Sequence, residues 1–169
     1  AAMLDPAFQP VVNKHIAKGW SDAAFAGRPV AYNDPETLKT VILMTDGINS
    51  TAARITDEHY DTKSKRINWR DYNLNYFLSH YVNYNNRSEY YYQKYSAAQG
   101  DALLDNICDA SKAAGIVIWS IGFEVDNHGA DVMRNCASSP AHFFRVEGVE
   151  ISEAFRAIAR QINQLRLTN

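Results

Sequence analysis

Thr40-Val41-Ile42-Leu43-Met44-Thr45-Asp46-Gly47 is an apolar run that stops at a carboxylate followed by glycine. Strands covered on both faces read as continuous Val/Ile/Leu stretches, and in open α/β sheets ligands bind just beyond the carboxyl ends of such strands. The stretch therefore predicts a buried parallel strand that presents Asp46, the first candidate functional residue. Alone it is a weak signal, because Asp-Gly also makes ordinary turns and N-caps.

Downstream the pattern is regular. Asp101 to Ala114 sets Leu103, Leu104, Ile107, Cys108 and Ser111 on one helical face, and Gly115 supplies the stop. Ile116 to Phe123 reads as a second buried strand. A short helix from Asn127 or His128 to about Cys136 ends at Ser138-Ser139-Pro140, and Ala141 to Val146 reads as a third strand nearer an edge. Glu150 to Leu167 closes the chain as an amphipathic helix with Ile151, Ala154, Phe155, Ile158, Ile162 and Leu165 in register. Strands alternating with helices pair in parallel through crossovers. The expectation is an α/β fold, a Rossmann-like parallel sheet with flanking helices. No GxGxxG or GxxxxGK[ST] follows any strand, so neither a dinucleotide nor a P-loop nucleotide site is expected.

Upstream, Pro6, Pro10, Gly19, Gly27, Pro29 and Pro35 break the first forty residues into short pieces. From about 48 to 99 lies an insertion that is polar and crowded with Tyr and Asn. Trp69, Tyr72, Tyr76, Phe77, Tyr81 and Tyr84 recur at spacings of three to five, followed by Tyr90, Tyr91, Tyr92 and Tyr95, which predicts a helical hairpin broken at Asn85-Asn86. Such rings either pack an element poor in aliphatics or, facing outward, suit recognition of protein or sugar.

The length of 169 residues suits one domain and a single core. A net charge of −2 with scattered basic residues gives no electrostatic case for nucleic acid. No apolar run is long enough to span a bilayer, so any membrane anchor or export signal is expected outside this chain. The start at Ala1-Ala2-Met3 reads as a piece of a longer protein. Cys108 and Cys136 fall in predicted helices without a CxxC partner or a zinc-spaced His. They are either two buried small hydrophobes or one disulfide of an exported protein.

Catalytic arrangements are poor. Ser120 sits inside a strand, there is no GxSxG elbow, and His15, His59, His80, His128 and His142 show no HExxH or other metal spacing. Asp46 and Asp126, both beyond strand ends, form the one carboxylate pair worth weighing for phosphoryl or glycosyl chemistry, with no second motif behind it.

Several segments share one likeness. They are 39–49, Ile107-Cys108-Asp109-Ala110-Ser111-Lys112-Ala113-Ala114-Gly115-Ile116-Val117-Ile118, Ile121-Gly122-Phe123, Asn135-Cys136-Ala137-Ser138-Ser139-Pro140 with His142-Phe143-Phe144, and the ending from Ala154-Phe155 to Leu165-Arg166-Leu167-Thr168. Together these resemble the von Willebrand factor A domain of TadG-like proteins of the Tad (tight adherence, Flp) pilus assembly system. Residues 1–38 match loosely, through Met3-Leu4-Asp5-Pro6, and nothing transfers to the insertion.

The resemblance implies a doubly wound sheet whose upper edge can hold a divalent cation, Mg²⁺ or Mn²⁺, in a metal-ion-dependent adhesion site. That site draws on an Asp-x-Ser-x-Ser motif, a loop Thr, and an Asp in the position of Asp46. No Asp-x-Ser-x-Ser occurs here, Ser21-Asp22 has the wrong order, and the first three strands have no counterpart. One carboxylate falls far short of six oxygen ligands, so weak metal binding or none is expected of this chain alone. The resemblance also implies an extracytoplasmic location, periplasmic or cell-surface, and hence a disulfide between Cys108 and Cys136.

In the full fold the strand at 40–45 is central. Without its neighbour its edge is bare, which invites a homodimer or association with the rest of the parent chain. The function implied is a non-enzymatic adhesion or assembly module, binding pilus components or the rest of its parent at the carboxyl edge of the sheet, with Asp46 in the cation-site position and a bridging divalent cation whose shell a partner carboxylate completes. The alternative is a metal-independent module whose Tyr-rich insertion contacts polysaccharide or pilin.

Overall fold

The computed structural model describes residues 2–167, the last three by their backbone alone, so the side chain of Leu165, like Thr168, lies outside the described residues. In chain order the principal elements are α1 (Gln9–Ala17), β1 (Thr40–Thr45), β2 (Ala52–Ile55), α2 (Lys63–Asp71), α3 (Leu74–Tyr81), β3 (Tyr91–Tyr95), α4 (Ala97–Ala113), β4 (Val117–Phe123), α5 (Asn127–Cys136), β5 (Phe143–Val146) and α6 (Ile151–Leu167). The chain forms two compact units, one from the residues up to Ile48 together with those from Ala102 onward, the other Asn49–Asp101.

The first unit is α/β, built on a parallel three-stranded sheet in the order β1-β4-β5 with flanking helices, compatible with a Rossmann-like fold. Alternation along β4 divides its residues between two apolar layers. Trp119 and Ile121 pack with Val146, Ala154 and Ile158, which places α6 on one face. Ile116 and Ile118 pack with Cys108 and Cys136, and with Val41, Leu43 and Leu104, which places α4 and α5 on the other. Cys108 and Cys136 are joined by a disulfide, with Cα atoms 5.1 Å apart, so these two helices are covalently tied under the sheet.

Gly122 is required in β4 because a Cβ there would meet Val125 Cγ2 at 2.7 Å. Gly115, at φ +79°, turns the chain out of α4 in the left-handed conformation that glycine adopts without strain. Ser120 is fully buried and donates to the Met133 carbonyl at 2.7 Å, a tie between β4 and α5.

One expectation is corrected at β1. The run 40–45 predicts a strand covered on both faces, yet Ile42 is 43 % and Met44 49 % exposed. Ile42 lies beside Trp119 and Met44 beside Ile121 in register, so both belong to the α6 face, but α6 shields β4 and β5 and leaves β1 open. Among the described residues no strand pairs with the other edge of β1.

The N-terminal pieces gather at the start of β1. Lys39 is buried, and its Nζ donates to the carbonyls of Leu4 at 2.6 Å and Val30 at 2.7 Å while lying 4.0 Å from the centre of the Tyr32 ring. A buried ammonium tolerates such a place because carbonyl dipoles and a ring face replace part of its hydration.

The second unit corrects the expected helical hairpin. Thr62 and Asn73 cap α2 and α3, each accepting a backbone N–H three residues on, as their side chains favour. The stretch expected to continue the helices is instead strand β3, antiparallel to β2, and Asn85-Asn86 lie inside a 3-10 turn at Tyr84–Glu89. Consecutive tyrosines favour an extended ladder over a helix, where aromatic side chains crowd the preceding turn. Aromatic rings in and between α2 and α3 cluster: Trp69 lies 4.8 Å from Phe77, and Tyr72, just after α2, stacks on Tyr76 at 5.6 Å between centroids.

Candidate functional site at the carboxyl edge of the sheet

β1 and β4 run side by side and end together, Thr45 level with Gly122. Beyond β1, Thr45 Oγ1 lies 3.3 Å from Gly47 N, whose N–H it accepts, and 3.2 Å from Gly47 O, closing a tight turn. Asp46 projects from that turn exposed, and its carboxylate makes no hydrogen bond or ion pair among the described residues.

Beyond β4 the chain is held more firmly. Glu124 adopts φ +51°, rare for a residue with a side chain, and its carboxylate accepts from Gly148 N at 3.3 Å. Arg145 donates to the Val125 carbonyl at 2.8 Å and to Asn127 Oδ1 at 2.9 Å, which braces the same loop. Asp126 is the N-cap of α5 and accepts from Gly129 N at 2.7 Å. A Cβ on Gly129 would lie 3.1 Å from Ile48 Cγ2, so the segment following Asp46 rests against the first turn of α5.

The two carboxylates singled out from the sequence therefore sit on neighbouring loops with different duties. Asp126 spends one oxygen on its helix cap, and Asp46 is free of partners among the described residues. The set does not make a complete site for Mg²⁺ or Mn²⁺. No group of three or more His, Cys, Asp or Glu that could hold a metal ion exists among the described residues, and Thr45 Oγ1 is already engaged in its turn. Such an ion would need most of its ligands from elsewhere. What the edge does offer is an exposed carboxylate whose oxygens accept from no donor among the described residues, beside a turn closed by Thr45 and Gly47.

A hydroxyl–imidazole contact escaped the sequence reading. Ser139 Oγ lies 2.7 Å from His142 Nδ1, and the His142 ring lies 4.1 Å from that of Trp119. Burial holds the His142 imidazole below its ordinary pKa. The contact closes the single 3-10 turn Pro140–His142, whose backbone bond runs from His142 N to Ser139 O. The signal available for it was the spacing Ser-Pro-x-His, a serine ahead of a proline-started turn.

Compared with known protein families, curated proteins and solved structures, the chain matches none of them.

Proposed function

We propose that the chain is the carboxyl-terminal part of a von Willebrand factor A-type domain from a TadG-like protein, acting as a non-enzymatic adhesion or assembly module of a Tad-type pilus outside the cytoplasm. The observation that carries the functional part is the free Asp46 carboxylate at the carboxyl end of β1, where α/β sheets place their ligand contacts. The motif resemblance supports the family, and the Cys108–Cys136 disulfide supports an oxidising compartment. The contact is assigned to the carboxylate itself, which receives donors from a protein partner. The bare edge of β1 supplies the second contact, to the rest of the parent chain or to another copy.

The test is made in the bacterium that encodes the chain, by comparing the parent strain with a gene deletion and with Asp46→Ala for surface attachment and for pili counted by electron microscopy. Loss of attachment in both altered strains is the expected result. A deletion strain that attaches and assembles pili like its parent overturns the proposal, and attachment of the parent with and without EDTA reads whether a cation takes part.

A further inference from the structure

In the second unit, α3, the 3-10 turn Tyr84–Glu89 and the first residue of β3 enclose an open cleft of about 650 Å³, within the range of small-ligand sites. Because 3-10 turns repeat every three residues, Asn85 and Ser88 share one side and Tyr84 and Arg87 another. Asn75 of α3 also lines the cleft. The side chains of Asn75, Asn85 and Ser88 make no hydrogen bond among the described residues. Tyr84 and Tyr91 line the same space, the residues being 79 % and 40 % exposed. Arg87 is already committed: it donates to the carbonyls of Val82 at 3.3 Å and Ser79 at 3.2 Å, and its guanidinium lies 5.5 Å from the centre of the Tyr84 ring.

We infer that this cleft binds a neutral oligosaccharide segment of a polysaccharide. Each sugar hydroxyl both donates and accepts, so a sugar needs partners that do both. Two amides and a serine hydroxyl supply them. The C–H face of a pyranose is apolar and lies flat, which suits an exposed tyrosine ring. The cleft has one cation, two of whose donors are spent on backbone carbonyls, so it lacks the several cations that a phosphate backbone or an acidic polymer requires. Tyr, Asn, Ser and Arg together form the set that recognition surfaces use to gain area and adaptable hydrogen bonding at low entropic cost. This inference stands apart from the role given to Asp46.

The test is native affinity electrophoresis of the whole chain in gels cast with dextran, laminarin, hydroxyethylcellulose or galactomannan, with alginate as the acidic comparison. Retardation by at least one neutral polymer is expected. Tyr84→Ser with Asn85→Ala should weaken it by about tenfold or more, the loss expected on removing an aromatic anchor. Asn75→Ala, made separately, should weaken it too, and Asp46→Ala should leave it unchanged. Circular dichroism of each variant confirms that it is folded. Mobility unchanged in every neutral gel overturns the inference, as does retardation that survives both cleft variants. Retardation in alginate alone, abolished by salt, overturns it as well, since that is charge binding.

Discussion

Breaking the Cys108–Cys136 bond should loosen the α/β unit by a calculable amount. The bond closes a sequence separation of 28 residues between α4 and α5. In the chain-entropy account, a loop of that length removes about 12 cal/mol/K from the unfolded ensemble, or about 3.6 kcal/mol at 25 °C. Both sulfurs are buried, with Cys108 3 % and Cys136 1 % exposed, and they pack with Ile116 and Ile118. Reduction keeps these atoms in the core, so the loop term dominates the difference between oxidised and reduced protein. For a urea slope of about 2 kcal/mol/M the midpoint should fall by about 1.8 M. Urea titrations followed by circular dichroism, with and without reductant in the unfolded baseline, measure this directly. Superimposable curves would refute the reasoning, as would two reactive thiols in the denatured, unreduced chain. A double Cys→Ala variant should fall by at least as much, because it adds a cavity under β4.

Three further outcomes follow from particular contacts. Lys39→Met removes the donor shared by the Leu4 and Val30 carbonyls and should cost about 2 to 4 kcal/mol, read by thermal melting; unchanged melting would show that these carbonyls are satisfied without it. His142 has a folded pKa below its unfolded value because burial disfavours its charged form, so the unfolded chain binds the extra proton first as pH falls. Stability should therefore decline as pH drops through about 6.5 toward the lower folded value, and His142→Gln should flatten that part of the profile. Ile42→Lys places a charge on the open face of the edge strand, where Ile42 is 43 % exposed; light scattering at high concentration should then report less self-association than in the parent, and equal association would move the interface away from β1.

Much of the α/β unit was legible from the chain because its signals are local. The apolar run before Asp46, the periodic face of α4 with Gly115 behind it, the second run at 116–123 and the register of α6 all mark elements that form close to their expected bounds. The insertion misled because periodicity of aromatic residues does not separate helix from strand over short spans. Spacings of three to four described α2 and α3, while Tyr91 to Tyr95 took the extended form by pairing with β2, a partner some forty residues earlier. The candidate site was half legible: Asp46 and Asp126 could be named from strand ends, but their duties could not.

By itself the sequence determined the kind of elements, their order and the parallel character of the sheet, since strand, crossover helix and strand leave little other choice. Tertiary structure decided that the Asp46 carboxylate was free, since no other described residue reaches it, whereas the cap bond from Gly129 to Asp126 is local, three residues along the chain. It also decided that one face of β1 is open, because six apolar residues look the same whether a helix covers one face or both; the bare edge itself was already an expectation of the resemblance. The polar cleft of the second unit is likewise tertiary: Asn75 and Asn85 are ten residues apart on different elements, and only packing turns two ordinary surface amides into one lining.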